Sequence, residues 1–277
     1  MSRSKPTAPA SHLPAPPLPA RDAGWALFLD VDGTLLDFVD DPAAVTVQPS
    51  LRTLLQQLHQ SLGGALSLVS GRTLADLDAL FMEPAWAMAG LHGLQLRHAD
   101  GERIDTAIDT VARARLQRGA EAIVAELGDV QLEDKGAAIA LHCRRAPARL
   151  KALAEAARAL ADGLPGYELQ AGNLVMEIKP TGMDKGKAVS ELLRRPPFTE
   201  RIPVYVGDDL TDEHGFAAAA RAGGFGIRVG DRTPTSGLFT LPGPAAVHAW
   251  LLRVHHALAQ GDPPYGPFPG EGTAESS

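Results

Sequence analysis

The hydrophobic pattern divides the chain into buried strands and amphipathic helices. Residues 25–29 form a continuous apolar run, which is typical of a strand that a parallel sheet buries on both faces. Similar short runs occupy residues 65–69, 202–206 and 225–229. Residues 49–62 carry leucines at helical spacing after a proline that starts the helix. Strands that alternate with helices predict an α/β fold with a doubly wound, Rossmann-like parallel sheet.

The pattern changes between residues 103 and 182. Two Ala-rich helices, at residues 107–127 and 147–164, alternate with two pairs of short strands. A stretch of roughly 80 residues in this order can form a core of its own, with one sheet covered by two helices. We therefore expect an inserted α/β cap domain at residues 103–182, and a Rossmann-like core formed by residues 23–102 and 183–260.

The two ends of the chain differ from the rest in composition. Residues 1–22 are rich in Pro and Ala, and residues 261–277 are rich in Pro, Gly and Ser. Neither stretch can bury enough apolar surface to offset the entropy lost on ordering, so we expect a disordered arm and a disordered tail. No apolar run reaches membrane-spanning length, and the beginning of the chain lacks the hydrophobic segment of a secretory signal. These features predict a cytoplasmic protein.

Charge and cysteine content narrow the possible partners. The formal net charge is -7, whereas a surface that binds nucleic acid is basic, so we expect no nucleic-acid partner. We expect no membrane partner either. The single cysteine, Cys143, excludes an intramolecular disulfide and any metal site built from several cysteines.

Two carboxylates follow the first buried strand directly. Asp30 and Asp32 end the strand, and Gly33 and Thr34 then break the extended backbone. Ligands of open α/β sheets bind beyond the carboxyl ends of the strands. At this spacing the two carboxylates can reach one locus, which suits one as a nucleophile and the other as a proton shuttle. Taken alone, the same residues are equally compatible with an acidic turn.

Three further motifs lie at element ends, in this order along the chain: Ser70-Gly71-Arg72, Asp184-Lys185-Gly186 and Gly207-Asp208-Asp209. Together with the aspartates of the first strand they resemble the motifs of haloacid dehalogenase-type phosphohydrolases. The resemblance implies a haloacid dehalogenase core that hydrolyses phosphate esters.

The resemblance also implies a role for each of these residues. Asp30 would attack phosphorus and form an aspartyl-phosphate, and Asp32 would protonate the leaving oxygen and later activate water. Ser70 and the amide of Gly71 would bind a phosphoryl oxygen. Lys185 stands at a helix start, where the helix dipole disfavours a cation. A site that needs a cation beside a phosphoryl group explains this placement, and a solvated surface lysine is the alternative.

Mg²⁺ suits this chemistry because it binds octahedral oxygen ligands and keeps several waters. Asp30 and Asp208 would supply side-chain oxygens, and the resemblance implies the backbone carbonyl of Asp32 as a third ligand. Asp209 and Asp212 would orient waters or hydrogen-bond to the ligands. A capped helix with an acidic first turn is the alternative explanation for the last of these acidic residues.

Charged residues in or beside the cap strands are the candidates for substrate binding. From composition alone they would mark only the solvent-facing side of a sheet. However, several motifs are similar to those of trehalose-6-phosphate phosphatases: Leu132-Glu133-Asp134-Lys135-Gly136, Leu141-His142-Cys143-Arg144, Met176-Glu177-Ile178-Lys179-Pro180, Gly90-Leu91-His92-Gly93 and the run from Gly207 to Glu213. The likeness covers roughly residues 24–258. It departs at Cys143, where the family usually places an aromatic residue.

This resemblance implies a Mg²⁺-dependent phosphatase that releases trehalose and phosphate, the last step of trehalose biosynthesis. It suggests a functional pairing with a trehalose-6-phosphate synthase. The substrate-binding residues it implies are Thr34, Gly71, Arg72, His92, Glu133, Lys135, Arg144, Glu177 and Lys179. The alternatives are a relative that acts on sucrose-phosphate or mannosyl-phosphoglycerate, and a catalytically silent phosphosugar sensor. A silent sensor normally lacks the nucleophile or a metal ligand, and this chain keeps both.

Overall fold

The computed structural model describes residues 13–37, 45–83, 85–172 and 174–260. The first part of the core contains β1 (Trp25–Leu29), α1 (Pro49–Ser61), β2 (Leu66–Val69), α2 (Leu74–Phe81), β3 (Met88–Gly90), β4 (Gln95–Arg97) and β5 (Arg103–Asp105). The insertion contains α3 (Thr110–Leu127), β6 (Gln131–Asp134), β7 (Ile139–His142), α4 (Leu150–Asp162), β8 (Tyr167–Gly172) and β9 (Val175–Pro180). The core resumes with α5 (Lys185–Leu192), β10 (Ile202–Gly207), α6 (Asp212–Arg221), β11 (Phe225–Val229), β12 (Phe239–Leu241) and α7 (Pro244–Gln260).

The core sheet is doubly wound, as the sequence pattern predicts. Within the described residues it has eight strands in the order β12-β11-β10-β1-β2-β3-β4-β5. The strands from β12 to β3 are parallel, and β4 and β5 are antiparallel additions at one edge. The chain proceeds outward in opposite directions from the neighbouring strands β1 and β10. This reversal is a topological switch point, where ligands of such sheets bind.

Burial explains why the central strands form. All five residues of β1 are buried, as are all four of β2, which a strand covered on both faces requires. Helix α1 buries its stripe of leucines and packs against α7, while α5 packs against α6. Right-handed crossovers from β1 to β2 and from β10 to β11 place α1 and α6 on opposite faces of the sheet.

The insertion forms a second layer with a core of its own. Its antiparallel sheet has the order β6-β7-β9-β8 over the described residues, and α3 and α4 pack against each other and against this sheet. The buried cluster between them includes Leu116, Ile139 and Leu153 from three different elements. The cap predicted from the sequence therefore has its own hydrophobic core.

Two predicted boundaries differ in the structure. Residues 103–105 were expected to start the cap, but they form β5, which pairs with β4 in the core sheet. The disordered arm expected over residues 1–22 is wrong for its described part. The carbonyl of Pro17 accepts a hydrogen bond from the indole of Trp250 at 3.0 Å, and the carbonyl of Pro14 accepts one from the amide of Thr240 at 3.0 Å.

The second of these contacts has a physical cause, because Thr240 lies on β12, which is an edge strand of the sheet formed by the described residues and has no partner strand there on one side. Residues 1–12 of the arm and the tail from residue 261 lie outside the described residues. None of the described helices is both long and apolar enough to cross a membrane.

Candidate active site

A cavity of about 380 Å³ lies between the carboxyl ends of the core strands and the cap sheet. Its volume is in the range of cavities that bind small molecules. The core supplies most of the wall residues that the sequence predicts: Asp30, Asp32, Ser70, Gly71, Arg72, His92, Lys185, Asp208 and Asp209. The cap supplies Glu133, Lys135, Arg144 and Glu177.

Asp30 and Asp208 follow adjacent parallel strands, and their carboxylates approach one another at the switch point. The hydroxyl of Thr34 lies 3.1 Å from Oδ2 of Asp30 and 3.1 Å from Oδ1 of Asp208. A hydroxyl has one proton, so it donates to one of these carboxylates at a time. Thr34 is fully buried beneath the cavity wall. Its position supports the carboxylates and does not place it on the cavity surface.

Asp212 organises the floor of the site. Its Oδ1 accepts hydrogen bonds from Nζ of Lys185 at 2.6 Å and from the hydroxyl of Tyr205 at 2.8 Å. Its Oδ2 accepts the amides of Asp208 and Asp209 at 3.1 Å and 2.9 Å. Asp212 is fully buried, and both of its oxygens have partners. It therefore shapes the loop that follows β10.

Lys185 connects the two sides of this floor, because its Nζ also donates to Oδ1 of Asp30 at 2.7 Å. Burial alone would lower the pKa of Lys185, but the carboxylates of Asp212 and Asp30 raise it above its ordinary value. The ammonium therefore stays charged. Lys185 is therefore a buried cation held by two carboxylates, and the alternative interpretation of a solvated surface lysine is wrong.

The pKa values of two neighbouring carboxyl groups, Asp30 and Asp208, are raised as well, and for an acid this favours the uncharged form. Burial, together with the negative charge of Asp212, raises the pKa of Asp30 well above its ordinary value, although Lys185 opposes this shift. Burial and the same Asp212 charge raise the pKa of Asp208 to about 6. A cation placed among crowded, desolvated carboxylates of this kind stabilises their charged form.

Asp32 stands apart from this cluster and pairs with Arg72. The Nε of Arg72 donates to Oδ2 at 2.8 Å and its Nη2 donates to Oδ1 at 2.7 Å. Parallel hydrogen bonds of this type fix a carboxylate in one plane. The sequence-based interpretation had Arg72 contact the substrate, and the structure adds that it binds the predicted proton shuttle.

The loops after β2 and β3 support each other. The amide of His92 donates to the carbonyl of Ser70 at 2.9 Å, and the amide of Leu91 donates to that of Arg72 at 2.8 Å. A side chain at Gly71 would displace the imidazole of His92, because an added Cβ would lie 2.7 Å from its Nε2. His92 itself has a left-handed backbone, with φ of 56°. Burial lowers the pKa of its imidazole to about 3, so the ring is neutral.

Polar side chains of the cap contact the core across the cavity. Nζ of Lys135 lies 3.0 Å from Oε2 of Glu177 and 3.3 Å from the carbonyl of Gly71. The amide nitrogen of Gln170 lies 2.9 Å from Nε2 of His92. Oε1 of Glu177 is buried and has no hydrogen-bond partner among the described residues, although it lies 3.6 Å from Nε2 of His92. This acceptor is open to a hydroxyl group of a ligand.

The surroundings of Lys135 and Glu177 favour the charged form of both side chains. Burial would raise the pKa of Glu177, but the ammonium of Lys135 lowers it below its ordinary value. Burial would lower the pKa of Lys135, but Glu177 and Glu133 raise it. Glu133 lies at the outer wall, where its Oε2 is 2.8 Å from Nε2 of His142, and this hydrogen bond lowers the pKa of Glu133. The cap wall therefore presents charged groups to the cavity.

Like Thr34, the predicted substrate ligand Lys179 lies outside the set of described residues that line the cavity. Lys179 is buried, and its Nζ donates to the carbonyl of Met183 at 2.9 Å and lies 3.2 Å from Oε1 of Glu168. It is absent from the described residues that line the cavity. The expectation that Lys179 contacts the substrate is therefore not met by this geometry, because its ammonium is directed towards the junction between cap and core.

The cavity wall also contains residues that the sequence-based interpretation missed. Arg232 donates to the carbonyl of Asp208 at 3.1 Å and to that of Asp209 at 3.0 Å, and so holds the loop after β10. It follows the end of β11, a neighbour of β10, so the rule for strand ends could have found it. Gln170 stands opposite Glu177 in the cap sheet, but only the pairing of β8 with β9 reveals this.

The cluster of acidic side chains at the core end of the cavity fits a divalent cation. Asp30, Asp208 and Asp212 each offer an oxygen atom, and these atoms lie within 4.8 Å of one another. Each oxygen of Asp212 already accepts two hydrogen bonds, whereas the carboxylates of Asp30 and Asp208 accept fewer and keep lone pairs for an ion. Carboxylate oxygens are the ligands of hard divalent cations.

These observations define the class of protein. A doubly wound core with aspartates at its switch point and an inserted α/β cap is the architecture of haloacid dehalogenase-like phosphatases. In agreement, the structure superposes on the C-terminal domain of the trehalose-6-phosphate phosphatase of C. albicans with a TM-score of 0.77. The match covers 88% of this chain and 99% of that domain at 22% sequence identity, and it establishes the fold.

Sequence comparison identifies the family. The profile of the family described as trehalose-phosphatase matches residues 28–244. A Sinorhizobium fredii protein named probable trehalose-phosphate phosphatase is 45% identical over 213 residues, which is 76% of this chain and 80% of that protein. The trehalose-6-phosphate phosphatase of Escherichia coli is 38% identical over 243 residues, which is 87% of this chain and 91% of that protein. The chain belongs to the trehalose-phosphatase family and is a phosphoric monoester hydrolase.

Proposed function

We propose that this enzyme hydrolyses trehalose 6-phosphate to trehalose and inorganic phosphate through an aspartyl-phosphate intermediate. One observation carries the proposal: the carboxylates and Lys185 occupy the core end of the cavity, while the charged pair of Lys135 and Glu177 occupies the cap end. A phosphate ester of a polyhydroxyl sugar needs both, one for the phosphoryl group and one for the hydroxyl groups. The names of the sequence relatives support the choice of sugar.

In the first step, a carboxylate oxygen of Asp30 attacks phosphorus, and the bond from phosphorus to the sugar oxygen breaks. Asp32 gives its proton to that oxygen, so the sugar leaves as an alcohol. In the second step, Asp32 takes a proton from a water molecule that attacks phosphorus. The bond to Asp30 breaks, phosphate leaves and both aspartates return to their initial states.

Other residues of the core stabilise charge during these steps. Lys185, which lies 2.7 Å from Asp30, stabilises the negative charge on the equatorial oxygens of the phosphoryl group. Ser70 and the amide of Gly71 bind the same group. Asp30 and Asp208 would hold a Mg²⁺ ion with the backbone carbonyl of Asp32, and such an ion supplies positive charge that neutralises the phosphoryl oxygens.

The cap supplies selectivity in this proposal. Glu177 offers an unpartnered acceptor oxygen and Lys135 offers a donor, so together they suit hydroxyl groups that can donate and accept. Gln170 of the cap contacts His92 of the core, and closure of the cap at this point would exclude water from the phosphoryl site. A pairing with a trehalose-6-phosphate synthase, which would supply the substrate, stays a prediction.

The test is phosphate release from a panel of substrates. Trehalose 6-phosphate should be hydrolysed much faster than glucose 6-phosphate, sucrose-phosphate or mannosyl-phosphoglycerate. Excess EDTA should abolish activity and Mg²⁺ should restore it, whereas Ca²⁺ should support little turnover because its larger coordination sphere misplaces the reacting groups. Faster hydrolysis of another sugar phosphate would reassign the substrate, and full activity in excess chelator would refute the metal site.

A further inference from the structure

Lys179 is buried where the cap joins the core, and its partners belong to that junction. Its Nζ donates to the carbonyl oxygen of Met183 at 2.9 Å and lies 3.2 Å from Oε1 of Glu168. Only 2% of Lys179 is exposed, whereas the side chain of Glu168 is 45% exposed. Because a buried ammonium is costly unless its protons have acceptors, these two contacts determine where Lys179 can lie.

The pairing of β8 with β9 shows that one face of the cap sheet continues from the cavity to the junction. Gln170 stands opposite Glu177, and Glu168 stands opposite Lys179. Residues two apart on a strand share a face, so the two pairs are neighbours on one surface. The first pair lines the cavity, and the second is absent from the described residues that line it. The second pair has a different task.

The partner of Lys179 lies in the segment of residues 181–184, which connects β9 of the cap with α5 of the core. The side chain of Met183 packs with Leu91 and Leu94 of the core and Ala137 of the cap. Two residues after Met183 comes Lys185, whose ammonium binds Asp30. A contact that fixes the carbonyl of Met183 therefore acts on the cap and on the catalytic floor together.

We propose that Lys179 and Glu168 are positioning residues, which hold the connecting segment at residues 181–184 and thereby set the angle of the cap over the substrate. Lys179 acts through the carbonyl of Met183 and does not bind the sugar. The correct cap angle brings Glu177 and Lys135 over the substrate. This inference rests on the proposed function, because the cap is taken to close over a sugar phosphate.

The competing interpretation is that Lys179 binds a sugar hydroxyl, as the family resemblance implies. The two interpretations differ for Glu168, which pairs with Lys179 and is absent from the described residues that line the cavity. They also differ in the ligand-free protein, because a residue that only binds the sugar has no effect on the connecting segment until the substrate is bound. Both differences can be measured.

The experiment compares Lys179→Met and Glu168→Gln with Glu155→Gln, which changes an exposed carboxylate of α4 and serves as control. Hydrogen exchange of peptides that cover residues 181–186 is measured without ligand, because faster exchange reports local opening. Both junction variants should exchange faster than the wild type, and the control should not. Lys179→Met should also lose about 10- to 100-fold in kcat/KM for trehalose 6-phosphate, the range for a lost hydrogen bond of a charged donor.

Glu168→Gln keeps its partner lysine and should lose less in kcat/KM, on the order of threefold to tenfold. Exchange at residues 181–186 that stays at the wild-type rate in both variants would overturn the proposal, whatever the kinetics show. If Lys179→Met fails to fold, the exchange of Glu168→Gln alone decides. Hydrogen exchange can be measured without turnover. A wild-type protein that does not hydrolyse trehalose 6-phosphate would therefore refute the proposed function, while the exchange rates would still test the role of Lys179 and Glu168.

Discussion

Arg72 binds both carboxylate oxygens of Asp32, with donor–acceptor distances of 2.8 Å from Nε and 2.7 Å from Nη2. A planar guanidinium holds a carboxylate in one orientation, which a lysine at this position could not do. Asp32 is the residue that passes a proton to the leaving sugar in the proposed reaction. We therefore expect Arg72 to affect catalysis through Asp32.

This relationship predicts that Arg72→Gln and Asp32→Asn have the same pattern of kinetic defects. Both should lower kcat/KM for trehalose 6-phosphate more than for an aryl phosphate, whose good leaving group scarcely needs a proton. The double variant should be little worse than Asp32→Asn alone, because the two residues act as a unit. The measurement is kcat/KM for both substrates in the three variants. Losses that multiply in the double variant would show that Arg72 acts independently of Asp32.

Asp30→Asn should remove turnover by several orders of magnitude while the protein stays folded. An amide cannot form the acyl-phosphate, so the loss should appear with sugar and aryl phosphates alike. Because burial and the charge of Asp212 disfavour the Asp30 carboxylate, the neutral amide should leave the melting temperature equal or higher. Asp22→Asn, at an exposed position, is the control. Substantial phosphate release by folded Asp30→Asn protein would refute the covalent mechanism.

The main elements and the meeting of two carboxylates at the switch point were predictable because they depend on rules of local pattern and topology. An apolar run such as residues 25–29 has few alternatives to a buried strand, and the carboxyl ends of parallel strands meet at one edge. The proximity of Asp30 and Asp208 could therefore be predicted from the sequence alone. The short strand at residues 103–105 lacks such a run and all three of its residues are exposed, so its pairing with β4 was not visible in the sequence.

Partners of long charged side chains were not predictable in the same way. Arg72 and Lys179 each reach several ångströms from their backbone, and which acceptor they meet depends on how the cap lies on the core. The resemblance to a family gave both residues one role, as substrate ligands, whereas the structure places their charged groups on Asp32 and on the carbonyl of Met183. Local sequence contains no information about these distances.

Arg232 should affect the requirement for metal, since it holds the carbonyls of Asp208 and Asp209 and also pairs with Glu213 at 2.6 Å. In Arg232→Gln the loop with the carboxylate of Asp208 loses this support. Groups that orient metal ligands typically contribute about 10- to 100-fold in metal affinity or activity. The Mg²⁺ concentration for half-maximal activity should therefore rise at least about tenfold.

The matched control for Arg232 is Arg221→Gln, which removes an exposed arginine of α6. It should leave the Mg²⁺ titration unchanged. A titration of Arg232→Gln that coincides with the wild type would show that the loop keeps its conformation without the arginine.

His92 predicts how stability depends on pH. Its pKa is lowered to about 3 by burial in the folded protein, while the unfolded chain titrates near about 6.5. Between these values the unfolded state binds a proton that the folded state does not, so stability falls as the pH falls. The loss from this group should be about 1.4 kcal/mol on going from pH 7.5 to pH 5.5.

The measurement is the free energy of unfolding of the wild type and of His92→Asn at both pH values. Asparagine tolerates the left-handed backbone at this position and does not titrate. The variant should therefore lose less stability than the wild type as the pH is lowered. A difference between the two proteins that is the same at both pH values would mean that His92 is not held neutral by the fold.

The last prediction concerns the division of labour between core and cap. Lys135 and Glu177 are cap residues of the cavity wall, and they pair with each other at 3.0 Å. If they bind sugar hydroxyls, Lys135→Met or Glu177→Gln should cost about 2–4 kcal/mol in kcat/KM for trehalose 6-phosphate. A small aryl phosphate reaches the core without the cap, so its slow hydrolysis should be nearly unchanged, because binding energy at a remote group is used only by substrates that contain it.

Glu126→Gln, which changes an exposed carboxylate of α3, is the matched control and should behave as the wild type with both substrates. The double variant of Lys135 and Glu177 should lose less than the two single losses combined, since each single change already breaks their ion pair. Equal losses on the sugar phosphate and the aryl phosphate would mean that these residues support the fold or the phosphoryl site. The selection of the sugar would then have to lie elsewhere in the cavity wall, and Arg144 and Gln170 would be the next cap residues to vary.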